Sequence, residues 1–100
     1  MPLYLDEIWV KADSGDSLAR SYAAFAAIAR SGGFPEGVTL VAGPWFSNEE
    51  PKIVLVLDIA DHAKTFLAFG LAIAAGMLTR RRLTPVVGPA EVEALVAALG

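Results

Sequence analysis

Apolar and polar positions divide the chain into alternating strand-like and helix-like segments. From Leu3 to Lys11 they alternate, with Leu3, Leu5, Glu7 and Trp9 on one side and Tyr4, Asp6, Ile8 and Val10 on the other. That period predicts a first strand carrying one acid on each face. Asp13-Ser14-Gly15-Asp16 offers turn residues and a helix cap, Ser14 or Asp16. Ser17 to Arg30 then reads as a helix with Leu18, Tyr22, Phe25 and Ala29 in one stripe, closed by Ser31-Gly32-Gly33. Gly37 to Ile59 reads as a long hairpin. Its arms are Val38–Ala42 and Ile53–Ile59, with the turn at Ser47-Asn48-Glu49-Glu50-Pro51. β-branched and leucine residues fill both faces of the second arm, as in a central strand covered on both sides, and Asp58 alone interrupts it.

A second helix is expected from the Asp61 cap to about Leu78, apolar nearly all round through Phe66, Leu67, Phe69, Leu71, Ile73, Met77 and Leu78. About 15 apolar residues at 1.5 Å each reach roughly 22 Å, short of the roughly 30 Å hydrocarbon core of a bilayer. Gly70 and Gly76 weaken it further as a free-standing helix. The pattern predicts a helix buried on two sides, by its own sheet and by another surface. Thr79 to Val87 is the last strand, and Pro85, which cannot donate a ladder hydrogen bond, predicts that it lies at a sheet edge or pairs on one side there. Gly88-Pro89 opens a final helix whose Val92, Leu95, Val96 and Leu99 are expected to form a buried stripe.

Composition changes this picture in one respect. The chain is 100 residues long, one domain spanning 1–100, and 55% of it is hydrophobic. A small body has too much surface to hide that much apolar material, so a homodimer or higher oligomer is expected. The net charge of −3, with three of eight basic residues consecutive at Arg80-Arg81-Arg82, excludes a broad basic nucleic-acid surface. The absence of cysteine excludes disulfides and cysteine chemistry. The start of the chain enters a strand without a signal-peptide pattern, so the expected location is cytoplasmic, with no membrane partner.

The order β-α-β-β-α-β is the split, ferredoxin-like α+β pattern: an antiparallel four-stranded sheet in the order 4-1-3-2, both helices on one face, here with a C-terminal helix added. Its second sheet face needs a cover. The chain resembles the dimeric α/β-barrel superfamily, in which two such protomers close a barrel around a ligand-sized interior. More narrowly, it is similar to short stand-alone bacterial members whose function is unassigned. The resemblance rests on Pro35-Glu36-Gly37-Val38, on Asp58 ending the third strand before Asp61, and on Pro85-Val86-Val87 ahead of an acidic, apolar last helix. The apolar second helix and the triple arginine depart from that pattern. The resemblance implies a dimer paired through its sheet face. It also implies either a small-molecule-binding or accessory protein, or a cofactor-free monooxygenase or isomerase acting on a planar aromatic or polyketide-like substrate.

Candidate chemistry follows from the expected strand order. Asp6 and Asp58 approach one another if both point inward, and a dry pair of carboxylates would raise one pKa into a proton-transfer range. The competing arrangement ties the acids to cations, for example Glu7 to Arg82 across two strands. His62 is the only histidine and a third catalytic candidate. Tyr4, Trp9, Trp45, Phe66 and Arg82 are candidate ligand contacts, as pocket aromatics and an anion-gripping fork, with Phe46 and Phe69 as further aromatics of such a pocket. Three arginines on one strand cannot form a single patch, because the middle one points away from its neighbours. One histidine and scattered acids show no metal-ligand spacing, and no phosphate loop or nucleophile elbow implies a cofactor.

Overall fold

The computed structural model describes residues 2–76 and 78–100. The elements run β1 (Leu3–Val10), α1 (Gly15–Ser31), β2 (Val38–Phe46), β3 (Lys52–Ile59), a 3₁₀ turn (His62–Lys64), α2 (Thr65–Ala74), β4 (Leu78–Val86) and α3 (Pro89–Leu99). The four strands form one antiparallel sheet ordered β2-β3-β1-β4, an α+β arrangement that fits the ferredoxin-like pattern. Pro85 lies on an edge strand, as its missing N–H requires.

One sheet face carries the core. Ile53, Leu55, Leu57 and Ile59 of β3 join Ile8 and Val10 of β1, and Leu18, Tyr22 and Phe25 of α1 pack against them. Ser14 caps α1 in a capping box with Ser17, and Gly32 at φ +70 closes it, since a left-handed residue ends a helix most cheaply as glycine. The Tyr22 hydroxyl accepts from the Lys52 N–H at 2.9 Å and lies 2.8 Å from the Ser47 carbonyl. It therefore ties the hairpin tip to α1.

Several boundaries and burials differ from the sequence expectation. The first hairpin arm continues past Ala42 to Phe46, because irregularities in its pairing with β3 let the strand resume after Gly43-Pro44. The second helix ends at Ala74 rather than near Leu78: Gly76 at φ +71 turns the chain, and Leu78 instead pairs with Val10 in β4. Met77 lies outside the described residues. Asp61 caps the 3₁₀ turn, its Oδ1 accepting from Ala63 N–H. Within the single chain α2 is not buried on two sides, since Phe66, Leu67 and Leu71 are exposed. The stripe of α3 is not buried either: Val92, Leu95, Val96 and Leu99 all face water. The far face of β3 is likewise only half-covered, at Val54 and Val56. Apolar periodicity marks a face as needing burial, and here the chain alone does not supply the cover.

Candidate functional site: a cleft floored by a buried ion pair

Asp6 stands in the middle of β1, opposite Leu55 of β3 and Leu83 of β4. Alternation turns its side chain to the helix-covered face, where it is 2% exposed. Arg81 lies on the same face of β4. Its Nε donates to Asp6 Oδ1 at 2.9 Å and its Nη2 to Oδ2 at 3.0 Å, a two-pronged fork. The Arg81 Nη1 makes no hydrogen bond among the described residues, and the guanidinium lies 5.7 Å from the Phe69 ring centre. Burial pushes the Asp6 carboxyl above its ordinary range; the hydrogen bonds and charge of Arg81 oppose this, and neighbouring Glu7 adds to it.

Above this pair α1 and α2 leave a cleft of about 250 Å³. Its walls include Phe25 and Ile28 of α1, Phe34, and Ala68, Phe69 and Ala72 of α2. Small side chains on α2 hold the cleft open, since alanine cannot fill the space a leucine would. An adjoining hollow shares Thr65, Phe69 and Arg81 and extends to His62 and Phe66. Thr65 is buried, and its hydroxyl donates to the His62 carbonyl at 2.8 Å. The His62 ring stacks on Tyr4, centres 5.4 Å apart. The cleft is thus greasy, with one ion pair on its floor and a polar stack at one mouth.

The opposite sheet face holds a second cluster. Glu7 accepts from Arg82 Nε at 2.8 Å and Nη2 at 3.1 Å, and Lys52 Nζ lies 2.6 Å away. This is the cross-strand pairing of Glu7 with Arg82 expected from the sequence. Arg80, Lys52 and Arg82 surround the Trp9 ring at 4.4, 4.9 and 5.9 Å, while its Nε1 donates to Glu50 at 3.3 Å. Arg82 and Lys52 hold the Glu7 carboxyl down at about 2. Glu7 shows little surface, but what covers it is long, partly wetted side chains rather than core, so the gain is discounted for solvent screening.

A native value below the unfolded one means stability is present above about pH 4.5 and lost as pH falls towards 2. Glu7→Gln should remove roughly 1–2 kcal/mol at neutral pH and flatten that acid limb. Urea melts from neutral to acid pH check this; an unchanged limb in Glu7→Gln would assign the acid sensitivity to other carboxylates.

The structure divides the sequence candidates between the two faces. Tyr4, Asp6, His62 and Phe66 belong with the cleft, whereas Trp9 and Arg82 lie on the open face. Trp45 joins them there, opposite Val54 and 55% exposed. Asp6 and Asp58 are not brought together. Asp58 pairs with Leu3, three positions along β1 from Asp6, and alternation puts it on the open face. Phe69, a candidate pocket aromatic, lines the cleft, while Arg81 and Thr65 are among the cleft residues that sequence patterning did not single out. For Arg81 the signal was present, since the middle of three strand arginines had to face away from its neighbours.

Among the described residues no helix is long and apolar enough to cross a membrane, and no three acidic or histidine side chains converge as a metal site. No protein-family model matches the chain, and no curated protein resembles it in sequence.

Proposed function

We propose that this chain is a small-molecule-binding protein that holds a planar, largely apolar ligand of one or two rings in the cleft between α1, α2 and the sheet. The observation that carries this reading is the pairing of an apolar cleft of about 250 Å³ with a single desolvated ion pair on its floor. Ligand sites combine a hydrophobic lining with a few fixed polar groups, and this volume lies just below their usual range of about 300–1,000 Å³, which restricts the ligand to a small one. Arg81 Nη1 supplies the donor that orients a carbonyl or phenol oxygen.

The competing reading, a cofactor-free monooxygenase or isomerase, needs an acid free to exchange a proton at the ligand. Both Asp6 oxygens are engaged by Arg81, and Asp58 lies on the other face. These positions favour binding over catalysis.

The reading includes a homodimer of the dimeric α/β-barrel type, formed through the open sheet face. Leu3, Leu5, Val54 and Val56 give that face an apolar half, and two sheets stacked about 10 Å apart would cover it.

Calorimetric titration with a neutral two-ring phenol, 2-naphthol, tests the cleft. Saturable binding is expected, weakened at least roughly tenfold by Ala72→Trp, which fills the cleft from α2. Equal affinity in wild type and Ala72→Trp, or no saturable binding up to about 1 mM, would remove the cleft as a ligand site.

A further inference from the structure

The C-terminal helix is the least explained element of the fold. All of α3 is exposed, with Val92 at 44%, Leu95 at 62%, Val96 at 60% and Leu99 at 88%. It is 11 residues long, and isolated helices shorter than about 12–15 residues are marginal in water. The radius of gyration is 15.3 Å, against about 13 Å for a compact chain of this length, and the longest dimension is 53 Å. Such a helix needs a surface that its own body does not provide.

Charge selects that surface. Glu91 and Glu93 are the only charged residues of α3, and they flank Val92 on the two sides of the apolar stripe. Neither has a cationic partner among the described residues. The Trp9 end of the open sheet face is the reverse: an aromatic ring surrounded by Lys52, Arg80 and Arg82, against which Glu7 and Glu50 supply the acids. Arg80 pairs with no carboxylate among the described residues, although it lies over the ring at 4.4 Å.

Within one chain the two surfaces stand at opposite ends. The chain enters α3 at Pro89, three residues after Val86, which pairs with Leu3, whereas Arg80 pairs with Trp9 at the other end of the sheet.

We infer that α3 is an exchanged arm, docking on the Trp9–Arg80 rim of a second copy of this chain. The inference rests on the sheet-face pairing proposed above. A two-fold axis between two stacked sheets, perpendicular to their strands, reverses strand direction in the partner. Each chain's Val86 end then lies over its partner's Trp9 end. The arm leaves where the partner's Arg80 waits, its apolar stripe covers the ring, and Glu91 and Glu93 face the arginines. Complementary charge fixes this register and disfavours others.

Charge reversal tests the arm in the full-length chain. Glu91→Arg/Glu93→Arg and Arg80→Glu are each expected to dimerise at least roughly tenfold more weakly than wild type in sedimentation, with circular dichroism unchanged. Mixed one to one, the two variants are expected to form heterodimers preferentially by native mass spectrometry, because opposite charges again meet at both arms. The neutral changes Glu91→Gln/Glu93→Gln and Arg80→Gln should weaken the dimer less and prefer the heterodimer more weakly on mixing, because only one of its two arm contacts keeps the wild-type charges, which supplies a second reading if a reversal disturbs folding. Homodimers as tight as wild type, with statistical mixing, would overturn the arm while leaving the sheet pairing in place. A wild-type chain that stays monomeric at about 100 µM would overturn both.

Discussion

Arg81→Met is expected to cost about 3–5 kcal/mol of folding stability, because it leaves the Asp6 carboxylate buried without its cation. The expected pH dependence identifies the cause. Burial already raises the Asp6 carboxyl, so the folded chain takes up this proton more readily than the unfolded one. The stability contributed by the protonated acid is complete below the ordinary carboxylate range and is lost as pH rises through the raised native value. Without Arg81 that native value rises further. The deficit should therefore be small near pH 4 and full near pH 7, roughly. Urea unfolding at the two pH values measures it, and an equal deficit at both would point to lost packing instead. Asp6→Leu/Arg81→Met removes both charges and should recover most of the stability, since a buried pair often gains little over apolar replacements. It should not recover ligand binding, which in the proposed function uses the remaining Arg81 donor.

Gly43→Ala is expected to destabilise by about 2–4 kcal/mol, through strain at a positive φ and displacement of β2 from the central strand β3. Gly43 has φ +89, and a Cβ there would meet the Val54 carbonyl at 3.0 Å, the Leu55 Cα at 3.2 Å and its Cβ at 3.3 Å. These are backbone and core atoms of β3, where Leu55 is fully buried, so β2 would have to lift away. The interruption in β2 also aims the two aromatics at its end. Phe46 packs against Tyr22, ring centres 4.9 Å apart, and Trp45 lies on the open face. Gly32→Ala is the matching control. Its φ is +70 but nothing lies within 4 Å of the added Cβ, so only about 1 kcal/mol is expected. Chemical denaturation compares the two. Equal losses would mean that close approach to β3 contributes nothing at Gly43.

Much of the fold was legible because its signals are local. Period-two alternation placed Asp6 and Glu7 on opposite faces of β1 and turned Arg81 away from Arg80 and Arg82. The Leu18–Tyr22–Phe25 stripe of α1 packs on the core, and Pro85 marked an edge. Chain order alone led to the antiparallel sheet. Local signals were weakest where glycine intervened. The sequence ran α2 on to Leu78 because apolar content continues past Gly76, and it stopped β2 at Ala42 because a strand that breaks and resumes leaves no periodic trace.

Which residues share a face is written in the residue pattern, since side-chain direction follows from backbone period within one element. Which face meets which is set by tertiary packing. Asp6 found Arg81, and Glu7 found Arg82 and Lys52, through a register linking positions up to 75 residues apart. One step of slippage would have moved every one of these side chains to the other face. The same register parted Asp58 from Asp6 and split the candidate aromatics between cleft and open sheet. Thr65 became a cleft residue only when α2 was laid over Arg81. The stripe on α3 stated that burial is needed but not against what, because apolar burial is non-directional and any matching surface satisfies it.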